Sequence, residues 1–239
     1  REGIFGTAVN LGAPIMVQYV FAFGGQVLSN DLKSVTLNGP EAQNGLQWHL
    51  DLSQRHQVAP GPENVSANLV KREVAMGIVG APIILKDLRA TWPAEDIGLA
   101  LVPRGPKGRF SYGDTRNFAI TKASQKKDES WAFLRSLLEP ENQKLMSEMQ
   151  IWTPVMRSSL QMADWSFGPQ GAPDNMRDLL RQLDYARMWP RPAEPELRTL
   201  FQNEYTRAFR GEVSLQAALT NVKSQGDVLL NEWWAQRKK

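Results

Sequence analysis

The spacing of apolar positions changes along this chain, and the changes mark out its elements. Residues 4–9 (Ile-Phe-Gly-Thr-Ala-Val) form a short apolar run with strand character. Residues 15–23 carry apolar side chains on nearly every side, as a buried helix does. Gly24-Gly25 stops that helix, because glycine accepts the left-handed turn at a helix end. Val35, Thr36 and Leu37 predict a short strand. A second helix opens at Asn38 or Gly39 with Pro40 in its first turn, and Ala42, Leu46, His49 and Leu50 share one of its faces.

Further on, residues 68–72 read as the end of a short helix. Residues 73–79 read as a buried strand, turned sharply by Gly80-Ala81-Pro82. Residues 97–102 and 117–121 predict two more strands, with a loop over 103–108 after the first. A helix over 128–138 puts Trp131, Leu134 and Leu138 on one face. A second helix restarts at Pro140 with Leu145, Met146 and Met149 inward. The last third is helical. Residues 174–186 place Met176, Leu179, Leu180 and Leu183 at helical spacing, and residues 194–210 do the same with Leu197, Leu200, Phe201, Tyr205 and Ala208. Gly211 ends that helix, and Ser214 caps a final one whose apolar face is Ala218, Val222, Leu229 and Trp233. Strands alternating with helices early and helices alone late argue for an α/β fold, a mixed sheet flanked by helices.

Composition narrows the function classes. A length of 239 residues fits one or two domains. There are no cysteines, which excludes a disulfide scaffold, a zinc ribbon and a thiol nucleophile. With two histidines, His49 and His56, a multi-histidine metal site is not expected either. The net charge of +3 is nearly balanced and does not by itself make a nucleic-acid protein. No stretch approaches the roughly 18 uninterrupted apolar residues of a membrane helix, and no signal-peptide pattern precedes residues 11–23.

No catalytic motif is present: there is no Gly-x-Ser-x-Gly elbow, Walker loop or His-Glu-x-x-His. The catalytic, metal and cofactor sets are therefore expected to be empty. The carboxylate pairs Glu194/Glu196 and Glu95/Asp96 stand near prolines, in a loop or near the start of an element, where acids favour the positive end of a helix dipole. His49 reads as a half-buried, hydrogen-bonded residue and His56, at the end of the same helix, as a capping or solvated one. Arg104, Lys107, Arg109, Phe110 and Tyr112 interleave charge with aromatics, but a solvated loop explains them better than a nucleic-acid stripe. Four loops, at 10–14, 80–83, 113–116 and 189–194, hold Gly or Pro, mostly beside polar groups. Ligands of open α/β sheets sit outside the carboxyl ends of strands, so these loops supply the candidate ligand-binding residues: Asn10, Gly80, Pro82, Ile83, Gly113, Asp114, Arg116, Trp189, Arg191 and Glu194. Trp152 and Trp189 are the loop aromatics best suited to stack on a ligand ring.

Several segments, taken in order, resemble a known family. They are Ile-Phe-Gly-Thr-Ala at 4–8, Phe-Gly-Gly-Gln-Val-Leu at 23–28, Leu-Asn-Gly-Pro-Glu-Ala at 37–42, Glu-Val-Ala-Met-Gly-Ile-Val-Gly-Ala-Pro at 73–82, Asn-Phe-Ala-Ile-Thr at 117–121, Trp-Thr-Pro-Val-Met-Arg at 152–157 and Arg-Gly-Glu-Val-Ser-Leu at 210–215. Together they are similar to the family-1 extracellular solute-binding proteins of ABC importers, the group of the maltose-binding protein. The resemblance implies a type II periplasmic-binding-protein-like lobe in a hinged, two-lobed protein that works with a membrane permease. It implies that residues 1–116 and 152–239 belong to lobe two and 117–151 to lobe one, most of which is absent from this chain. The face of Trp131, Phe133, Leu134 and Leu138 would then be covered by a missing N-terminal segment or another chain. Location would be periplasmic or extracellular.

The family often places aromatics after a segment like Met-Gly-Ile-Val and before one like Asn-Phe-Ala-Ile-Thr. Pro82-Ile83 and Gly113-Asp-Thr-Arg116 stand there in this chain. That departure favours a polar solute: a saccharide or polyol, or a phosphorylated or acidic derivative met by an arginine fork. The competing reading is a binding lobe reused for signalling or protein–protein contact.

Overall fold

Gly39 and Pro40 open one helix and Ser214 caps another, and on such local signals the architecture is built. The structure, a computed structural model, describes residues 3–61, 65–79, 83–114, 117–149, 153–162 and 180–237. Internal contacts divide the chain into two units. The first comprises Arg1–Val79, Val102–Asp114 and Gln182–Lys239, and the second Gly80–Leu101 and Thr115–Arg181. Of the segments read as lobe two, residues 80–101, 115–116 and 152–181 fall in the second unit.

Four long helices frame the first unit among the described residues. Helix α1 (Ala13–Ala22) starts after Gly12 with Pro14 in its first turn and ends at Phe23, followed by Gly24 in the left-handed region at φ +92. Helix α2 (Pro40–Gln54) has the proline start expected of it. Near the chain end lie the helices Glu194–Phe209 and Leu215–Gln236. Among the described residues they are α8 and α9 in chain order, because five shorter or separate helices intervene. Gly211, at φ +74, turns the chain after α8. The Ser214 side chain accepts the Ala217 N–H at 3.1 Å, capping α9.

Two glycines set the spacing of these helices. A Cβ at Gly45 of α2 would run into the Tyr19 carbonyl of α1, so the two backbones approach closely. A Cβ at Gly226 of α9 would stand 2.6 Å from Val35 and 2.9 Å from Leu197 of α8. Met16, Val17, Leu46, Phe201, Tyr205 and Leu219 are fully buried between these helices. Full burial of one such side chain removes enough apolar surface to stabilise by about 1.5–3 kcal/mol. On α9 Ala218 and Val222 are buried as expected, but toward its end Leu230 is buried while Leu229 and Trp233 pack only partly against the core.

The predicted strands shrink in the structure. Residues 4–9 and 73–79 run parallel through one bridge, Phe5 to Val74. Phe5 N–H donates to Glu73 O at 2.9 Å, Ala75 N–H to Phe5 O at 2.9 Å and Ala8 N–H to Met76 O at 3.2 Å. Residues 35–37 reduce to an antiparallel bridge from Val35 to Leu28. Neither 97–102 nor 117–121 contains an assigned strand. Instead, the loop over 103–108 holds a tight hairpin, β1 (Arg104–Gly105) with β2 (Gly108–Arg109), tied down by Lys107 N–H donating to Ala22 O at 2.9 Å. Strand β3 (Ser111–Tyr112) pairs in parallel with β4 (Ala186–Arg187), Ser111 opposite Ala186 and Tyr112 opposite Arg187.

In the second unit, α4 (Ile83–Arg89) is followed by α5 (Lys127–Ser136) and α6 (Pro140–Glu148), and α7 (Arg157–Met162) comes after them. The short α3 (Val65–Val70) lies in the first unit. Two expectations fail along these segments. The buried positions of α6 are Gln143 and Ser147, whereas Leu145 and Met149 are exposed. The cause is a polar tether. Gln143 Nε2 donates to Leu137 O at 2.5 Å, and its Oε1 accepts the Val155 N–H at 2.9 Å, which turns that face inward. Leu180–Tyr185 is a 3-10 helix, not the end of an α-helix, and its Leu183 is exposed. Residues 174–179 lie outside the described residues. Among the described residues no helix is long and apolar enough to cross a membrane.

Candidate functional site

The parallel β3–β4 pair delivers two loops to one place. Gly113 and Asp114 leave the carboxyl end of β3, and residues 188–193 leave the carboxyl end of β4. Gly113 N–H donates to Arg187 O at 2.9 Å, which keeps the two exits side by side. The second loop runs into α8 through Ala193, whose φ of +47 turns the chain abruptly into the helix. The side chains that meet here are charged. Arg191 Nη1 donates to Glu194 Oε2 at 2.7 Å, and its Nη2 reaches Asp114 Oδ1 at 3.4 Å. One turn along α8, Arg198 Nη1 donates to the other Glu194 oxygen, Oε1, at 3.0 Å.

This network is partly open to solvent. The Arg191 side chain is 50 % exposed and Asp114 38 %, while Glu194 at 12 % is the least exposed of the three. Tyr112, half-buried on β3, belongs to it as well. Burial first, then the Asp114 charge, raises its phenol above the usual range, and a hydrogen bond to Asp114 adds to the shift. The phenol therefore stays protonated beside two carboxylates. Hydrogen bonding from Arg191 to Glu194, followed by the charges of Glu194 and Asp114, holds that guanidinium more firmly protonated still.

Asn10 stands at the approach to α1. Its Oδ1 accepts the Gly12 N–H at 2.9 Å and its Nδ2 donates to Ile78 O at 3.4 Å, so the amide ties residues 10–12 to the segment ending at 79. Ala13 N–H donates to Gln202 Oε1 of α8 at 3.4 Å. Pro195, Arg198, Thr199, Gln202 and Asn203 line a shallow open depression of about 310 Å³ on the same helix. A bound hydroxyl could exchange hydrogen bonds with the exposed guanidinium and carboxylate groups, since arginine only donates and carboxylate only accepts.

The structure thus brings together Gly113, Asp114, Arg191 and Glu194 of the residues singled out from sequence. It places Trp189 differently. That ring is 2 % exposed and packs against Phe201 at a centroid distance of 6.0 Å, so the core takes up the faces that a stacking role requires. Its Nε1 has no hydrogen-bond partner among the described residues. Ile83 begins α4 in the second unit. Gly80, Pro82, Arg116 and Trp152 lie outside the described residues.

Tyr112 and Arg198 were not among the candidates. Tyr112 was counted with a basic stripe, and Arg198 is one of many charged helix residues. The signal for Arg198 was its i,i+4 spacing from Glu194. The stripe itself dissolves: Arg187 sits over the Phe110 ring at 4.5 Å, and Arg109 donates to Val102 O at 2.6 Å. His49 is fully buried, not half-buried. Its Nδ1 lies 2.7 Å from the Tyr205 hydroxyl, which donates to Leu46 O at 3.1 Å. Among the described residues no three His, Asp or Glu side chains are grouped so as to hold a metal ion.

Comparison with known proteins gives this geometry a context. Over 96 % of its length the chain superposes on the GacH receptor of Streptomyces glaucescens, solved unliganded and with acarbose. The TM-score is 0.82 and the identity 22 %, and 60 % of that receptor is covered. Over 99 % of its length it superposes on the sugar-binding protein MalE of Xanthomonas citri, with a TM-score of 0.78, 18 % identity and 61 % of that chain covered. A Brucella abortus (strain 2308) protein named as a binding protein is 24 % identical over 148 residues, which are 60 % of this chain and 36 % of that protein. The chain therefore spans about three-fifths of the two solved proteins and about a third of the Brucella relative. The structural likeness shows the fold, that of the type II periplasmic binding proteins. Residues 6–144, more than half of the chain, match the family of bacterial extracellular solute-binding proteins, and the chain belongs to that family.

Proposed function

We propose that the protein of which this chain is part is the solute-binding component of an ABC import system and captures a small polar solute, a saccharide or polyol or a derivative of one. The observation that carries this reading is the half-exposed network of Asp114, Arg191, Glu194 and Arg198 at the carboxyl ends of a parallel strand pair, where ligands of such folds sit. Family membership supports the binding role. The acarbose complex of GacH and the sugar-binding name of MalE support the solute class. The reading is of a binding protein and not of an enzyme, working outside the cytoplasmic membrane beside a permease. Hinged capture of the solute belongs to the whole protein and is proposed with it. So is cover for the Trp131–Leu138 face, from a segment N-terminal to this chain or from another chain.

The test is thermal denaturation of the full-length protein against a panel of saccharides and polyols. A true solute at a hundred times its Kd stabilises by about 2.7 kcal/mol, a readily visible rise in Tm. Asp114→Ala and Arg116→Ala are expected to weaken binding of that solute at least tenfold while leaving the unliganded Tm near its starting value. A flat panel, or full affinity in both variants, would overturn the assignment. Co-purification with a sensor protein in place of a permease would favour the signalling alternative.

A further inference from the structure

The charge network also bears on which solutes the site accepts. Among the described residues it contains two guanidinium groups and two carboxylates, and these are paired with one another. Arg191 bridges Glu194 at 2.7 Å and Asp114 at 3.4 Å, and Arg198 holds the second oxygen of Glu194 at 3.0 Å. Glu194, with both oxygens occupied and little exposure, is not free to swing away. An arginine fork that recognises a phosphate or carboxylate must offer its paired N–H groups to the incoming oxygens. Here the two ends of the Arg191 fork point at protein carboxylates instead. An anionic ligand would have to displace one of them or lie beside both negative charges.

A hydroxyl-bearing neutral ligand faces neither obstacle. It accepts from the unused guanidinium N–H groups and donates to Asp114, whose side chain is more than a third exposed. The protonated Tyr112 phenol beside Asp114 adds a further neutral partner. Resting on the solute-binding reading above, we infer that this site selects an uncharged polyhydroxyl solute and discriminates against its phosphorylated or carboxylated counterpart, with Glu194 as the specificity-determining residue.

The experiment uses the full-length protein and matched pairs in calorimetric titration: maltose against maltobionate, glucose against glucose 1-phosphate, glycerol against glycerol 3-phosphate. In any pair that binds, the neutral member is expected to bind at least tenfold more tightly. Glu194→Gln removes the charge that occupies both arginines and is expected to narrow that gap by about tenfold, through a gain in affinity for the charged member. Should Glu194→Gln melt early, Asp114→Asn relieves the other side of Arg191 and makes the same test. A charged member that binds as tightly as its neutral partner in the unaltered protein overturns this inference alone. Binding of no member of any pair overturns the solute-binding reading, and the inference with it.

Discussion

The two units of this chain treat their apolar faces in opposite ways. In the first, α1, α2, α8 and α9 converge on Met16, Leu46, Phe201 and Leu219, all buried. In the second, α5 carries Trp131 and Phe133 about three-fifths exposed, and none of its ten residues is buried. In sequence α2 of the first unit and α5 of the second are both amphipathic, so amphipathicity alone does not say whether a face is covered. What separates them is partners within the chain. Gly45 and Gly226 let helices of the first unit close on one another. The contacts of α6 run instead through the polar Gln143 tether. Trp131, Phe133 and Leu138 therefore stand exposed on the second unit, whereas the first has a closed core. The charged network stands on the unit with the finished core, where β3, β4 and α8 hold it in place.

The contrast can be pressed in order of expected effect. Phe201→Ala in the first unit should cost about 3–5 kcal/mol in urea unfolding of the 239-residue chain, as truncation of a packed core aromatic does. A cost under 1 kcal/mol would mean that this core is not the stabilising one.

Next comes His49, whose burial lowers its pKa from 6.5 to about 3. Above pH 6.5 the ring is neutral in both the folded and the unfolded chain. As pH falls from 6.5 towards 3, the unfolded chain binds a proton that the folded one does not, so stability is lost across that window. Between pH 7 and pH 5 the loss should be about 2 kcal/mol, given about 1.4 kcal/mol for each pH unit below 6.5. His49→Leu should flatten this dependence, whatever it costs at pH 7. An unchanged slope would show that other groups carry the acid sensitivity.

The smallest effect is expected in the second unit. Leu134→Ala should cost less than about 1 kcal/mol in the isolated chain, because its helix lacks buried positions. A loss of about 2–5 kcal/mol would show that α5 is packed after all and would dissolve the contrast.

Much of the helical frame was legible in the sequence, because caps and stops are local chemistry. Pro40 after Gly39, Gly24, Gly211 and Ser214 each act within a few residues of themselves. Strand extent was not legible. Residues 4–9 and 73–79 are apolar enough for a ladder, yet how far one forms depends on which partner lies alongside, and these two meet at one bridge. Apolar spacing misreads the inward face of α6, because one hydrogen bond that Gln143 donates and one that it accepts decide it. At the site, Asp114, Arg191 and Glu194 could be picked out as polar residues in loops at strand ends. Trp189 could not be placed, since a tryptophan in a loop reads alike whether it faces a ligand or, as here, Phe201. Arg198 escaped because its i,i+4 spacing from Glu194 is shared by ordinary surface helix pairs and does not by itself mark a site.

The most direct test of the central claim is hydrogen–deuterium exchange of the full-length protein with and without a solute from the saccharide panel. The account predicts added protection at residues 111–114 and 186–198, the exits of β3 and β4 and the start of α8. Protection confined to residues 127–149, with 111–114 and 186–198 unchanged, would contradict it.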